Sequence, residues 1–115
     1  MDTRTKIVPP AEAARLAASG ATVISGYFDP LLASHAERLQ ELKRAGAPLL
    51  VLIAEPHDAI LPVRARAELL AGLRVVDYVS ELPDGIQPHH RLERENQHRL
   101  DELIAHVHAR QGGNS

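Results

Sequence analysis

Apolar residues are concentrated in three short runs, and the longest of them is continuous. Residues 49–54 read Leu-Leu-Val-Leu-Ile-Ala without a polar position, which is typical of a strand buried on both faces of a parallel sheet. Shorter runs at 22–25 and 75–79 predict a first and a third strand. Helices are therefore expected on both faces of the sheet.

The segments around these strands have the composition and residue spacing of helices. Residues 11–19 are rich in alanine and lie between Pro10 and Gly20, so they predict a short first helix. Residues 34–45 predict a second helix, with Ser34 as N-cap, Glu37 completing a capping box and Gly46 as C-terminal cap.

A third helix is predicted over residues 63–73, where the apolar positions are Leu69, Leu70 and Leu73. The loop at 80–90 is rich in turn residues, and residues 91–110 predict a last helix with one apolar face.

The element order β-α-β-α-β predicts a single α/β domain over residues 1–115. Its architecture is a minimal doubly wound, Rossmann-like three-layer sandwich with three parallel strands in the order 3-2-1 plus a C-terminal helix. Three strands leave two open sheet edges, so we expect a homodimer that covers an edge or the apolar face of the last helix.

Composition narrows the class of protein. Thirteen Lys and Arg against fifteen Asp and Glu give a net charge of -2, which lacks the basic surplus of a nucleic-acid-binding protein. The apolar runs are too short to cross a membrane, and residues 1–10 lack the apolar core of a secretory signal. The chain has no cysteine, which excludes disulfide and thiolate chemistry. We expect a cytoplasmic protein without nucleic-acid or membrane partners.

The segment most suggestive of function runs from the first strand into the second helix. Gly26, Phe28 and Asp29 follow the strand, and His35 lies in the first turn of the helix. A helix N-terminus placed after a strand offers unpaired N–H groups and a positive dipole end, which favour phosphate.

These residues resemble a signature of the cytidylyltransferase-like branch of the nucleotidyltransferase superfamily, especially the heptose-phosphate adenylyltransferases and glycerol-3-phosphate cytidylyltransferases. The family signature has the form G-x-F-D-x-x-H-x-G-H, and Leu32 and Ser34 replace its first histidine and inner glycine. A second similar segment, residues 62–79, ends in a V-D-x-V pattern. The resemblance covers about residues 11–79 and, weakly, the last helix.

The resemblance implies a nucleoside triphosphate with Mg²⁺ as cofactor and a small phosphorylated molecule as partner. In active relatives the substrate phosphate attacks the α-phosphorus in line, a reaction that depends on positioning and charge stabilisation. It implies His35 as the catalytic residue and Arg66 as a phosphate ligand. The implied nucleotide-binding residues are Gly26, Tyr27, Phe28, Asp29, Ser34, His35 and Arg66.

Departures from the family pattern favour a degenerate protein that retains a phosphate or nucleotide site but has weak or no nucleotidyl transfer. Leu32 cannot donate a hydrogen bond. Only six residues separate Glu55 from Pro62, where relatives have a longer loop with a lysine, and no lysine follows Lys43. The family also continues beyond the last helix, so we expect half of the triphosphate site to be missing. The alternatives are an active small nucleotidyltransferase and a non-enzymatic interaction or regulatory subunit that uses helix 91–110.

Each candidate residue also has a purely structural interpretation. His35 could bond a neighbouring backbone group, Asp29 could orient its loop by accepting backbone N–H bonds, and Gly26 could permit close approach or a positive φ. Arg66, with Arg64 as a rival, could lie on a solvated helix face.

Two further groups carry weaker expectations. Glu55, His57 and Asp58 follow the second strand, where open α/β sheets bind ligands, and are candidates for pocket lining. The spacing of five C-terminal histidines favours a solvated helix over a metal site: His89, His90, His98, His106 and His108.

Overall fold

The computed structural model describes residues 3–55, 58–83 and 85–93 and shows an α/β fold. Within these residues a four-stranded parallel sheet has the order β3-β2-β1-β4. The strands are β1 Thr22–Gly26, β2 Leu49–Ile53, β3 Tyr78–Glu81 and β4 His90–Arg91. The helices are α1 Pro10–Ala18, α2 Ala33–Leu42 and α3 Val63–Ala71, preceded by a 3-10 helix at Thr3–Lys6. The predicted fold class and the order 3-2-1 are confirmed, and β4 adds a short fourth strand.

The sheet is buried on both faces, as the continuous apolar run predicts. Every residue of β1 and β2 is buried. One core contains side chains of β1 and β2 together with Leu39 of α2 and Leu70 of α3. The other contains Val23, Leu50 and Leu52 against Ala13 of α1. The architecture is therefore three-layered, with α1 on one face and α2 and α3 on the other.

The predicted third strand begins too early. Val75 and Val76 precede β3, which starts at Tyr78. Val76 is fully buried, and its N–H donates to the Leu73 carbonyl in the turn that follows α3. These valines are apolar because they close the core at the end of a helix.

The predicted start of α2 is also wrong by two residues. Its N-cap is Leu32, so Ser34 is the second helical residue and makes no capping box with Glu37. Instead, the His35 ring accepts a hydrogen bond from the N–H of Leu32, the N-cap residue. This is the bond that the side chain of the third helical residue makes in a capping box. The helix ends at Leu42, and Gly46, with φ +83°, lies in the turn beyond it.

Two apolar predictions on α3 differ in outcome. Leu70 is fully buried, whereas Leu69 is 49% exposed. Adjacent helical positions differ by about 100°, so Leu69 lies off the face that contacts the sheet.

The edges of the sheet are short. Ile7 pairs with Val79, and the Val8 N–H donates to the Val79 carbonyl, so part of the β3 edge is covered. β4 forms the other edge with two residues. Most of the predicted last helix, residues 94–110, lies outside the described residues, although Leu92 reaches the core. None of the helices in the described part of the chain has the length and apolar character to span a membrane.

Candidate functional site

The loop after β1 is folded around Phe28. Its side chain is buried, and its backbone has φ +50°, a left-handed conformation unusual for a non-glycine residue. A Cβ on Gly26 would lie 2.6 Å from Phe28 Cζ. Gly26 is therefore required for close approach of the ring, which is one of its two predicted roles, and its φ is not positive.

His35 is held at the N-terminal end of α2. The ring is 7% exposed and contacts Phe28 edge-on, with centroids 5.5 Å apart and planes at 79°. Its Nδ1 accepts the Leu32 N–H at 2.9 Å. The predicted bond to a neighbouring backbone group is thus present, and it places His35 beside the first N–H groups of the helix.

The open part of this helix end consists of Ala33 and Ser34. They are the first two helical residues, and both are exposed. N–H groups at these positions have no carbonyl acceptor within their own helix. An anion at the end of α2 would meet these two donors and the positive end of the helix dipole.

Asp29 connects the β1 loop to the loop before α3. Its carboxylate accepts the N–H groups of Ile60 and Leu61, each at 2.6 Å. Desolvation raises the pKa of Asp29, but these two bonds and the charge of Arg66 outweigh it and hold the pKa below its ordinary value of 3.8. The loop-orienting role predicted for Asp29 is what the structure shows.

Arg66 lies beneath the same loops and is completely buried. Its Nε donates to the Leu61 carbonyl at 3.1 Å, and its Nη1 donates to the carbonyls of Tyr27 at 3.1 Å and Ala54 at 3.3 Å. Its Nη2 donates to both carboxylate oxygens of Glu55, at 3.0 and 3.1 Å. Each of the three guanidinium nitrogens therefore donates to at least one protein acceptor.

This geometry contradicts the solvated helix face predicted for Arg66, because the side chain is fully buried. The phosphate contact that the resemblance implies stays a prediction. Arg66 joins the loops after β1 and β2 to the start of α3, so its role here is to position them. Arg64 is the exposed arginine of α3 and pairs with Glu68 at 3.1 Å.

The spacing of α3 carries a signal that would have revealed this burial. Arg66 lies four residues before the buried Leu70 and three after Val63, on the face that packs against the sheet. A charged residue in the middle of such a face is expected to have internal partners.

The remaining candidates lie around this edge at different depths. Tyr27 contributes its carbonyl to Arg66, and Glu55 contributes its carboxylate. Asp58 is exposed, and His57 lies outside the described residues. Within the described ranges, no group of three or more His, Asp or Glu side chains is placed to hold a metal ion.

One contact at the carboxyl end of β1 was not anticipated. The buried Ser25 hydroxyl is 2.8 Å from both carboxylate oxygens of Glu93. Ser25 lies inside an apolar strand and Glu93 inside a charged helix pattern, so no local signal links them.

Comparison with known proteins adds no relative. A scan against models of protein families gave no match, and a search of curated proteins gave none either.

Proposed function

We propose that this chain is a degenerate cytidylyltransferase-like protein that binds a nucleotide phosphate at the N-terminus of α2 and transfers nucleotidyl groups weakly or not at all. The observation that carries the proposal is the connected arrangement of the four signature residues. Gly26 accommodates Phe28, Phe28 contacts His35, and Asp29 fixes the neighbouring loop. This arrangement lies at the carboxyl edge of a parallel sheet, where open α/β folds bind ligands.

Nucleotidyl transfer should be weak because this edge has few side-chain hydrogen-bond donors for the reacting phosphate. Leu32 stands in the place of the signature's first histidine and cannot donate a side-chain hydrogen bond. Every guanidinium nitrogen of Arg66 already donates to a protein acceptor. Loss of one donor at the developing charge reduces the rate by about 10²–10³-fold, so two such losses leave binding without efficient catalysis.

A nucleotide fits this edge better than bare phosphate does. Leu32 is 53% exposed and Ile60 is 76% exposed, and both belong to the loops that Asp29 joins. Their side chains offer apolar surface to a base or ribose, while the exposed start of α2 offers N–H donors to phosphate.

The test of binding uses a matched pair of substitutions at an exposed position. Ser34→Asp places a negative charge at the helix N-terminus. This charge stabilises the helix by about 0.3–1 kcal/mol through its dipole, but it repels phosphate. Ser34→Asn is its neutral control. We expect ATP or CTP with Mg²⁺ to raise the melting temperature of the wild type and of Ser34→Asn, and to leave Ser34→Asp unchanged. Equal responses of the two variants, or none in the wild type, would contradict the proposal.

The test of transfer measures pyrophosphate release from CTP or ATP with a panel of sugar and polyol phosphates. We expect the wild type to be near background and Leu32→His/Ser34→Gly, which restores the signature, to be faster. Robust wild-type turnover that His35→Ala abolishes would establish the active transferase instead. Absence of any nucleotide effect on melting would favour the non-enzymatic interaction subunit.

A further inference from the structure

A cavity lies at the edge of the sheet opposite the candidate site, among the amino ends of β1 and β4. Its volume is about 190 Å³. It lies between the end of α1, the start of β1, the turn after α2 and the start of β4. The lining residues are Ala17, Gly20, Ala21, Thr22, Arg44, Ala47, His89 and His90.

The charged and titratable side chains of this lining are all basic. They are Arg44, His89 and His90, and the lining contains no carboxylate. Neither Arg44 nor His90 makes a side-chain hydrogen bond or ion pair with another residue that the structure describes. Within residues 3–55, 58–83 and 85–93, these two basic side chains therefore border the cavity without a carboxylate partner.

The third basic side chain is fixed in orientation. His89 Nδ1 accepts the Val23 N–H at 2.9 Å, and the His89 main-chain N–H donates to the Val23 carbonyl at 2.7 Å. With Nδ1 as acceptor, a neutral ring carries its proton on Nε2. His89 therefore retains a donor that is independent of its bond to β1.

Three main-chain carbonyls at the end of α1 are already hydrogen-bonded within the chain. The carbonyls of Arg15, Leu16 and Ala17 at the end of the helix accept the N–H groups of Ser19, Ala21 and Gly20 respectively. The main-chain N–H groups of the lining residues Gly20, Ala21, Thr22, Ala47 and His89 are paired as well. A ligand in the cavity would therefore meet donors mainly from the side chains of Arg44, His89 and His90.

We propose that this cavity binds a small oxyanion of phosphate size, held by Arg44, His89 and His90. The guanidinium fork matches phosphate geometry, and imidazole N–H groups add donors. The cavity volume is several times that needed for one water, which leaves room for one phosphate group with residual water. Drug-sized ligands use about 300–1,000 Å³, so the volume of this cavity suits a small ion better than a whole nucleotide. This site is separate from the nucleotide site proposed at the carboxyl edge.

The proposal is tested by following backbone amide shifts while the full chain is titrated with inorganic phosphate at constant ionic strength. We expect saturable shifts at Gly20, Ala21 and Ala47, with weaker binding of acetate at the same edge. Shifts that are spread over the surface without saturation, or equal affinity for acetate, would overturn the phosphate assignment.

Variants locate the site without disturbing the fold. Arg44→Ala and His90→Ala remove side chains without hydrogen-bonded partners among the described residues, and we expect Arg44→Ala to raise the Kd for phosphate about tenfold. Arg74→Ala is the matched control, because Arg74 is exposed and lies outside the cavity lining. Unchanged binding in Arg44→Ala, or equal weakening in Arg74→Ala, would refute the assignment. Neither result depends on whether nucleotides bind at Ser34.

Discussion

At the scale of single residues, Arg66 shows how a side chain that matches a family pattern can also hold the fold together. Its match to a phosphate-binding arginine rested on its position in the sequence. In the folded chain its donors hold Tyr27, Ala54, Glu55 and Leu61. A buried charge with an internal hydrogen bond at each of its nitrogens fixes the geometry of the loops around it.

Replacing Arg66 should therefore destabilise the fold even without ligand. Arg66→Met keeps an apolar stem but leaves the Tyr27 and Ala54 carbonyls without their donor, and each buried unpaired group costs about 1–3 kcal/mol. We expect a loss of about 3 kcal/mol or more in the free energy of unfolding, measured by urea denaturation. Glu55→Gln is the control. Because the Glu55 side chain is 63% exposed, its pair contributes about 1 kcal/mol or less. A comparable loss in both variants would contradict this account.

At the scale of secondary-structure elements, Asp77 connects three of them at the amino edge of the sheet. Its carboxylate accepts the Leu49 N–H at 2.7 Å at the start of β2 and pairs with Lys43 at the end of α2. Asp77 itself directly precedes β3. Partial burial raises the pKa of Asp77, but the Lys43 bond, the Leu49 bond and the charges of Lys43 and Lys6 outweigh it and hold the pKa below 3.8.

This lowered pKa predicts an acid-sensitive contribution to stability. The folded state binds this proton more weakly than the unfolded state, so the contribution is full above the ordinary pKa of 3.8 and is lost as the pH falls through the lower folded value. We expect Asp77→Asn to lose about 1 kcal/mol or less at pH 7, with the difference from wild type shrinking below pH 4. Urea midpoints from pH 2.5 to 7 measure this.

Asp58→Asn provides the comparison for that profile, since Asp58 is exposed and lies in the loop between β2 and α3. We expect its midpoints to follow the wild type at every pH. If Asp77→Asn instead remained separated from wild type by the same amount at low pH, a charge-independent contact would be responsible.

The elements also show where sequence reasoning succeeds. The strand at 49–54 and the helices around it follow from buried runs and from proline and glycine boundaries, which are local properties. β4 has only two residues, and it pairs with Ile24 and Ser25 of β1, which lie far from it in the sequence. No local pattern therefore predicts it. At the candidate site the sequence located Gly26, Asp29 and His35, but the buried hydrogen bonds of Arg66 require the folded chain.

At the scale of the whole molecule, the sheet separates two proposed anion sites. The exposed start of α2 follows the carboxyl end of β1, and the basic cavity adjoins the amino end of the same strand. A five-residue strand spans about 16 Å at about 3.3 Å per residue. The homodimer predicted from open sheet edges stays a prediction, with the β3 edge partly covered by Ile7.

This separation predicts that the two ligands stabilise the fold independently. Sites more than about 7–10 Å apart, without shared partners, combine additively within about 0.3–0.5 kcal/mol, and a ligand at 100 times its Kd contributes about 2.7 kcal/mol. We expect Ser34→Asp to remove only the nucleotide effect. Arg44→Ala, with its tenfold weaker binding, should lower the phosphate effect to about 1.4 kcal/mol at the same concentration. The double variant should combine both losses. Urea denaturation with each ligand alone and with both measures these effects. A weaker nucleotide response in Arg44→Ala would mean that the sites are coupled. Ser34→Asn is the control for a change at position 34 that adds no charge. Arg74→Ala is the control for the loss of an arginine outside the cavity.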